Sequence, residues 1–284
     1  MKLIECPRDA MQGITDFIPT STKVQYINQL LQVGFDTIDF GSFVSPKAIP
    51  QLRDTAEVLK GLQLTSQSAK LLAIVANTRG AEEATQFNEI HYLGFPLSIS
   101  ETFQQRNTNK SITEALNTVN EIQELCFKRK KVLVTYISMG FGNPYGDPYD
   151  MEIVEKFTDI LSTLGVSIIS LADTIGVSKP EQISYLFNTL TKRFPKLEFG
   201  AHLHSNPKTS LEKVQAAFES GCQRFDGALK GWGGCPMAED ELVGNLATET
   251  IIGYLDAHNS APALNREALL ESLRMADEIF NRYH

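Results

Sequence analysis

Hydrophobic and polar positions along the chain alternate between two kinds of segment. Short runs rich in β-branched and apolar residues are separated by longer stretches whose apolar positions recur at helical spacing. We predict eight strands, over Lys2–Cys6, Thr37–Phe43, Leu71–Ala76, Ile90–Leu97, Val132–Ser138, Ser167–Ala172, Glu198–His204 and Phe225–Leu229. Strands that alternate with helices in this way favour a parallel sheet with helical connections.

The stretches between these runs carry signals for the start of a helix. Ser111 and Glu114 have the spacing of a capping box. Ser178 and Glu181 have the same spacing, with a proline near the helix start. We therefore expect helices to begin at both places.

Two apolar stripes indicate which helix faces are buried. The first, which we expect to face the sheet, consists of Ile153, Phe157, Ile160, Leu161 and Leu164. The second predicts a terminal helix over about residues 265–282 and consists of Leu269, Leu273, Ala276 and Phe280.

Eight strand–helix units in about 250 residues fit a (β/α)₈ barrel. The alternative is an open doubly wound sheet, but its G-x-G-x-x-G fingerprint is absent, since the first strand runs into Pro7-Arg8-Asp9. We expect an α/β fold, a TIM barrel with a C-terminal helical extension. No Pro/Gly/Ser-rich linker divides the chain, which predicts one domain over residues 1–284, with the barrel over about 1–258.

Composition and charge narrow the class of protein. Hydrophobic residues make up 42% of the 284 positions and charged residues 21%, which excludes wholesale disorder. No apolar run approaches the roughly 20 residues needed to span a bilayer. The start, MKLIECPRD, shows no export or organelle signal, and the four separated cysteines form no CxxC pair, so we expect a cytoplasmic protein with reduced thiols. The formal charge of −8 argues against a nucleic-acid partner.

The end of the seventh strand is the first candidate for chemistry. In a (β/α)₈ barrel, reactive side chains lie at the carboxyl ends of the strands. His202 and His204 are two residues apart on one strand, so both imidazoles are expected to face one pocket. They suit two nitrogen ligands of a divalent metal, or a hydrogen-bonded pair of core histidines.

Two further segments carry reactive groups. Asp9 could supply an oxygen ligand to the same metal, and Arg8 could stabilise an oxyanion, although a buried Arg–Asp ion pair also fits. The glycine-rich loop after the eighth strand holds Cys235, a thiol that could act as an acid or a base if its pKa were lowered, or could be an inert turn residue.

Four other polar residues follow or lie within strands. Asn245 offers a neutral oxygen ligand, and Glu249 lies one helical turn further on, although helix capping is the usual role of such a pair. Asp173 ends the sixth strand and is a candidate acid or substrate contact. Asp39 is expected to point into the barrel, where it would need a partner such as Arg8.

Carboxylate and amide oxygens combined with imidazoles suit Mg²⁺ or Mn²⁺ better than a closed structural zinc site. Such an ion can bind an alkoxide and a carbonyl together and polarise both. This set of groups therefore indicates an enzyme that makes or breaks a C–C bond beside a carbonyl.

Seven segments of the chain resemble, in order, six motifs of the hydroxymethylglutaryl-CoA lyase family of the DRE-TIM metallolyase superfamily. Cys6–Gln12 resembles the family's GPRDGLQ, and Ala172–Val177 resembles its GDTIGV. Three later segments resemble HCHDT, GLGGCP and GNLATE, and they are His202–His204, Gly233–Pro236 and Gly244–Glu249. The family's second unit is matched by Ser42–Lys47 and Glu57–Gly61.

This resemblance implies a barrel that cleaves 3-hydroxy-3-methylglutaryl-CoA to acetoacetate and acetyl-CoA. The implied ligands of Mg²⁺ or Mn²⁺ are Asp9, His202, His204 and Asn245. The implied catalytic residues are Arg8, which stabilises an enolate, Cys235, which transfers a proton, and Asp173 and Glu249. The implied substrate contacts are Gln12, Asp39, Ser42 and Asn77. The group that accepts the substrate's hydroxyl proton is left open between Asp173 and a water, and a homodimer or larger homo-oligomer is expected.

The chain also departs from the family pattern. Ile4 stands where the family places an acid, and Glu5, one residue later, should turn to the opposite face of the strand. Ala10, Asp39 and Ser205 replace a glycine, a glutamate and an aspartate of the family. These departures put the choice of acyl-CoA in question. The alternatives are a condensing synthase of the same superfamily and a barrel that keeps the metal but binds acyl-CoA without turnover.

Overall fold

Eight parallel strands close into a barrel in the computed structural model, which describes residues 1–234 and 243–283. Each strand pairs with the next along the chain, and the eighth pairs with the first. The strands are β1 (Lys2–Glu5), β2 (Thr37–Ser42), β3 (Lys70–Ile74), β4 (Ile90–Ser98), β5 (Val132–Ser138), β6 (Ile168–Asp173), β7 (Glu198–Leu203) and β8 (Arg224–Gly227). Every predicted run overlaps one observed strand, and the predicted (β/α)₈ barrel is confirmed.

Helices connect the strands and form an outer layer. They are α1 (Pro7–Gln12), α2 (Thr20–Leu30), α3 (Thr55–Lys60), α4 (Thr78–Ala84), α5 (Glu101–Thr108), α6 (Ile112–Arg129), α7 (Met151–Thr163), α8 (Pro180–Arg193), α9 (Ser210–Glu219), α10 (Thr248–Ala257) and α11 (Arg266–Tyr283). Among these described helices, none is both long enough and apolar enough to cross a bilayer.

The apolar core has two parts, because side chains alternate between the two faces of each strand. The larger part lies between the strands and the helices. The smaller part fills the barrel interior and consists of Leu72, Ile74, Tyr92, Val134, Tyr136 and Ile168. The interior also takes up charged side chains from β2 and β8, and these position the site described below.

The predicted terminal helix is confirmed as α11. Ala276 and Phe280 of its apolar stripe are fully buried, and the Phe280 ring packs edge-on against Tyr26 of α2 at 6.0 Å. The capping box at the start of α6 is also confirmed, since the Ser111 hydroxyl accepts from the Glu114 N–H and the Glu114 carboxylate accepts from the Ser111 N–H.

The capping box predicted for Ser178 and Glu181 is wrong. Helix α8 begins after Lys179, and the Gln182 side chain accepts the Lys179 N–H at 3.1 Å. The Ser178 N–H instead donates to the carboxylate of Asp173 at 2.9 Å. The strong acceptor at the end of β6 therefore determines how the chain enters this helix.

The apolar stripe predicted for α7 is partly wrong. Ile160 is 40% exposed, whereas Val154, Thr158 and Leu161 are fully buried. The helix is therefore rotated relative to the predicted stripe, and the Thr158 hydroxyl is accommodated by a bond to the Val154 carbonyl at 2.9 Å.

Candidate active site

Three predicted metal ligands converge at the carboxyl ends of β1 and β7. Asp9 lies in the first turn of α1, directly after β1, while His202 lies in β7 and His204 follows it. One ligand atom from each of the three lies within 4.8 Å of the others. The Asp9 Oδ2 atom is 3.5 Å from His202 Nε2. The barrel thus brings together residues that are almost two hundred positions apart in the sequence.

Both imidazoles are oriented by hydrogen bonds from their Nδ1 atoms. His202 Nδ1 donates to Asp226 Oδ2 at 3.2 Å, and His204 Nδ1 donates to the Val243 carbonyl at 3.0 Å. These acceptors favour the tautomer with hydrogen on Nδ1, which leaves Nε2 of each ring as the ligand atom.

Asn245 is held beside this cluster by the backbone. It forms an isolated antiparallel bridge with His204, and its side-chain nitrogen donates to the Trp232 carbonyl at 2.9 Å. The side-chain oxygen is therefore the atom available to an ion. Gly233, with φ of +99°, lies between Asn245 and Asp9, where an added Cβ would be 2.7 Å from Asn245 Nδ2 and 2.8 Å from the Asp9 carbonyl oxygen.

Arg8 forms the centre of a buried polar network. Its Nε and Nη2 atoms donate to the carboxylate of Asp39, the shortest bond being 2.6 Å from Nη2. Its Nη1 donates to Asp9 at 3.0 Å and to the Gln12 side-chain oxygen at 2.8 Å, and the Gln12 amide nitrogen donates to Asp9 in turn. Within the described residues, four of the five guanidinium N–H groups are engaged, and one on Nη2 is left.

The electrostatics of the cluster suit a cation. Burial raises the pKa of Asp9, but the Arg8 guanidinium and the two histidines outweigh burial and hold that pKa well below its usual range. Burial lowers the pKa of His202, but its hydrogen bonds to Asp226 and Asp9 raise it to about 9. Burial and the neighbouring His202 lower the pKa of His204. Without a metal, His202 therefore carries a proton between two carboxylates, and a divalent ion would displace it.

The residues present fit a hard or borderline divalent cation. The donor set is one ionised carboxylate, two imidazole nitrogens close to it and one amide oxygen beside them. Such a mixed oxygen and nitrogen set is typical of open catalytic sites that leave positions for substrate.

Two predicted site residues are enclosed by other groups of the protein. Asp39, a substrate contact by the family resemblance, is 0% exposed, and its carboxylate pairs with Arg8, the partner expected from the sequence. Asp173 is 1% exposed, and its carboxylate accepts from the backbone N–H groups of Val177 and Ser178 and from Lys213 Nζ. A carboxylate enclosed by three donors is poorly placed to take a proton from a substrate.

The other predicted residues that the structure describes lie at or near the same end of the barrel. Glu249, in the first turn of α10, accepts the Lys230 N–H at 3.0 Å. The Ser42 hydroxyl accepts the Val44 N–H at 3.1 Å, and Asn77 caps α4 by accepting the Gly80 N–H at 2.9 Å. Cys235 lies outside the described residues. The substrate roles of Gln12, Ser42 and Asn77 stay predictions.

Asp226 and Lys213 belong to the site but carry no motif that reveals them in the sequence. The parallel register of β7 and β8 pairs Gly200 with Arg224, and its continuation sets Asp226 beside His202. Alignment of β7 with β8 is therefore the one feature of the sequence that could have identified Asp226. Lys213 Nζ donates to Asp173, to the Gly176 carbonyl and to the His204 carbonyl at 2.8 to 2.9 Å, and a lysine within an amphipathic helix gives no sign of such burial.

Glu5 faces away from the barrel interior, as the one-residue shift predicts. Its carboxylate accepts from the Leu229 N–H at 2.9 Å and from the Thr248 hydroxyl at 2.6 Å, both of which lie towards α10. It therefore cannot replace the acid that the family carries at the position of Ile4.

A cavity of about 1180 Å³ opens next to the ligand cluster. Its wall includes Ala10, Asn245 and the loop segments that follow β7 and β8. Lys230 places a positive charge there, and its Nζ lies 3.1 Å from Asp277 of α11. The cavity therefore has room for a ligand whose reacting end lies at the cluster.

Sequence comparison relates the chain to a group of lyases. The profile of the HMGL-like family matches residues 3–276. The hydroxymethylglutaryl-CoA lyase YngG of Bacillus subtilis is 35% identical over 272 residues, which cover 96% of this chain and 90% of that protein. The mitochondrial hydroxymethylglutaryl-CoA lyase of Bos taurus is 31% identical over 99% of this chain and 86% of its own length.

Solved structures show the same relationship. The Bacillus subtilis HMG-CoA lyase superposes with a TM-score of 0.92 at 34% identity and covers 99% of this chain and 93% of its own. An HMG-CoA lyase from Acinetobacter baumannii, in complex with coenzyme A and 3-methylmalate, superposes with a TM-score of 0.91 at 31% identity, over 99% of this chain and 91% of that one.

Proposed function

This chain belongs to the HMGL-like family, and from that premise we propose that it is a metal-dependent lyase that cleaves 3-hydroxy-3-methylglutaryl-CoA to acetoacetate and acetyl-CoA. The observation that carries the proposal is the convergence of Asp9, His202 and His204 beside Asn245, with the Arg8 guanidinium bonded to one of the ligands. The cation is Mg²⁺ or Mn²⁺.

Cleavage breaks the bond between C2 and C3 of the acyl chain. The tertiary hydroxyl loses its proton, its oxygen becomes the ketone of acetoacetate, and the electron pair of the broken bond forms the enolate of acetyl-CoA. An ion held by Asp9, His202, His204 and Asn245 would lower the pKa of that hydroxyl and polarise it.

Arg8 is assigned to the enolate. Asp39 fixes the guanidinium in two directions, so little reorganisation is needed when charge develops on the thioester oxygen. The N–H on Nη2 that has no acceptor among the described residues is assigned as the donor for that oxygen. Stabilisation of this kind is typically worth about 3–4 kcal/mol of the activation barrier.

The reaction needs one group that accepts the hydroxyl proton and one that donates a proton to the enolate. Because Asp173 is enclosed by three donors, we assign the acceptance of the hydroxyl proton to a water rather than to this carboxylate. Cys235 is assigned to deliver a proton to C2 of the enolate, which gives the methyl group of acetyl-CoA.

The cavity beside the cluster is assigned to the coenzyme A portion of the substrate. Its position beside the cluster suits the remainder of a long substrate, and the related Acinetobacter lyase was solved with coenzyme A. A cytoplasmic location and a homodimeric or larger assembly stay predictions.

The test is incubation of the metal-loaded protein with a panel of 3-hydroxyacyl-CoA esters, with products identified by mass. We expect acetyl-CoA and acetoacetate from 3-hydroxy-3-methylglutaryl-CoA, and loss of both on chelation. Condensation of acetyl-CoA with a 2-oxo acid would indicate a synthase. Binding of acyl-CoA without any product would indicate a non-catalytic barrel, and either result would overturn the proposal.

A further inference from the structure

Beneath the ligand cluster, the barrel interior contains a second buried charged pair, Arg224 and Asp226 of β8. Both side chains are fully enclosed, with Arg224 0% and Asp226 2% exposed. Asp226 Oδ1 lies 3.9 Å from Arg224 Nε, while its Oδ2 accepts from His202 Nδ1 at 3.2 Å. Asp226 thus connects the charged interior to one of the metal ligands.

Arg224 has room for its side chain because its neighbour on β7, Gly200, has no side chain. A Cβ at Gly200 would lie 3.0 Å from Arg224 Cδ and 3.0 Å from the Ser170 hydroxyl. At its other end the guanidinium is 3.5 Å from Glu198 Oε1, and it lies over the Tyr92 ring at 5.8 Å. Glycine at this position therefore lets a long cation extend beneath the metal site.

Five buried polar atoms in this region have no hydrogen-bond partner among the described residues. They are Nε and Nη2 of Arg224, Oδ1 of Asp226, the Tyr136 hydroxyl and the Ser170 hydroxyl. Tyr136 also packs edge-on against the His202 ring at 5.4 Å. Buried polar atoms are nearly always paired, and donors and acceptors grouped like this are typical of ordered internal water.

We propose that Asp226, supported from below by Arg224 and by ordered water between them, is a positioning residue that fixes the His202 ring with Nε2 turned towards Asp9. The inference rests on the proposed metal site but not on the identity of the substrate. A histidine ligand whose other nitrogen is held by a carboxylate loses less freedom on binding a metal, and removal of such a carboxylate typically weakens metal binding about 10–100-fold.

The test is the dissociation constant for Mn²⁺, measured without substrate from the EPR signal of free Mn²⁺. We expect Asp226→Asn to weaken binding about 10–100-fold. Arg224→Met should weaken it several-fold, and Arg224→Lys should restore part of that loss. The matched control is Asp54→Asn. Asp54, like Asp226, is a buried carboxylate beside a basic side chain, which here is Lys23 at 2.7 Å. This variant should lower the free energy of unfolding without changing the affinity for Mn²⁺.

An unchanged Mn²⁺ affinity in Asp226→Asn would overturn the inference, and so would equal losses in Asp226→Asn and Asp54→Asn. If Asp226→Asn does not fold, the ¹⁵N shifts of His202 in the wild-type Mg²⁺ form decide, and hydrogen on Nε2 would contradict the assignment. A wild-type protein that binds Mn²⁺ but cleaves no acyl-CoA would overturn the proposed function and leave this inference standing.

Discussion

Asp9 connects the parts of the site, because its carboxylate faces His202 on one side and Arg8 and Gln12 on the other. Its low pKa keeps it ionised throughout the physiological range. We predict that Asp9→Ala abolishes metal-dependent turnover and weakens Mn²⁺ binding by at least an order of magnitude. Turnover assays and Mn²⁺ titrations check this. Full activity with unchanged metal dependence would remove Asp9 from the ligand set.

Arg8 is predicted to contribute to the rate more than to metal binding. Arg8→Met should lower kcat by about 10³-fold or more, an order of magnitude taken from the loss of oxyanion donors. The single variant also leaves Asp39 buried without its partner, which costs stability. The double variant Arg8→Met/Asp39→Asn is therefore the informative comparison. It should recover stability in urea unfolding without recovering kcat, and recovered kcat would limit Arg8 to an ion-pair role.

The direction of a site residue's side chain could be predicted where its spacing from a second site residue matches the period of a strand. His202 lies in β7 and His204 directly follows it in extended backbone, so their shared direction follows from their spacing of two residues. The pairing of Asp39 with Arg8 was predicted, whereas the enclosure of Asp173 was not, because it depends on a lysine elsewhere in the chain. Arg8 takes up the first carboxylate, and Lys213 with two backbone N–H groups encloses the second.

At the scale of elements, the contact between β1 and α10 makes stability depend on pH. Burial raises the pKa of Glu5 from 4.5 to about 8, more than its bonds to Thr248 and Leu229 lower it. The folded protein therefore binds this proton more tightly than the unfolded chain. The free energy of unfolding should fall as pH rises from about 4.5 to about 8.

Glu5→Gln removes that titration and keeps an acceptor for the Leu229 N–H. The variant should lose this part of the pH dependence and should be more stable than the wild type above pH 8. Urea titrations at about pH 5 and about pH 9 measure the difference. The exposed control Glu83→Gln should match the wild type at both, and a Glu5→Gln curve parallel to the wild type would contradict the assignment.

The loop after β8 is predicted to carry the proton donor to C2. Cys235→Ser should lower kcat by about 10²–10³-fold, because a serine hydroxyl is a far weaker acid than a thiol. The affinity for Mn²⁺ should stay unchanged. Cys126→Ser, in the buried face of α6, is the matched thiol control and should keep full kcat. Equal losses of kcat and metal affinity in Cys235→Ser would indicate a structural thiol.

All eight strands and the terminal helix were predictable from periodicity, since each contributes enough apolar positions to define its buried face. Errors occurred at single positions. The N–H of Ser178 is taken by Asp173, and Ile160 lies just beyond the buried face of α7. Local spacing carries no information about an acceptor supplied by another element, so these details required the assembled barrel.

At the scale of the molecule, closure of the barrel is what creates the site. Asp9 follows the first strand and Asn245 follows the last, and the pairing of β1 with β8 brings those chain segments together. An open sheet with the same strands would separate them by its full width. The fold could therefore be predicted together with the site, because the expected ligands are neighbours only in a closed barrel.

The most direct measurement is a crystal structure of the protein with Mn²⁺, with the ion located by anomalous scattering. We predict one strong peak about 2.2 Å from Asp9, His202 and His204, with the Asn245 oxygen as a further ligand. A protein that binds Mn²⁺ tightly but places the peak elsewhere, or shows no peak among these four side chains, would contradict the account.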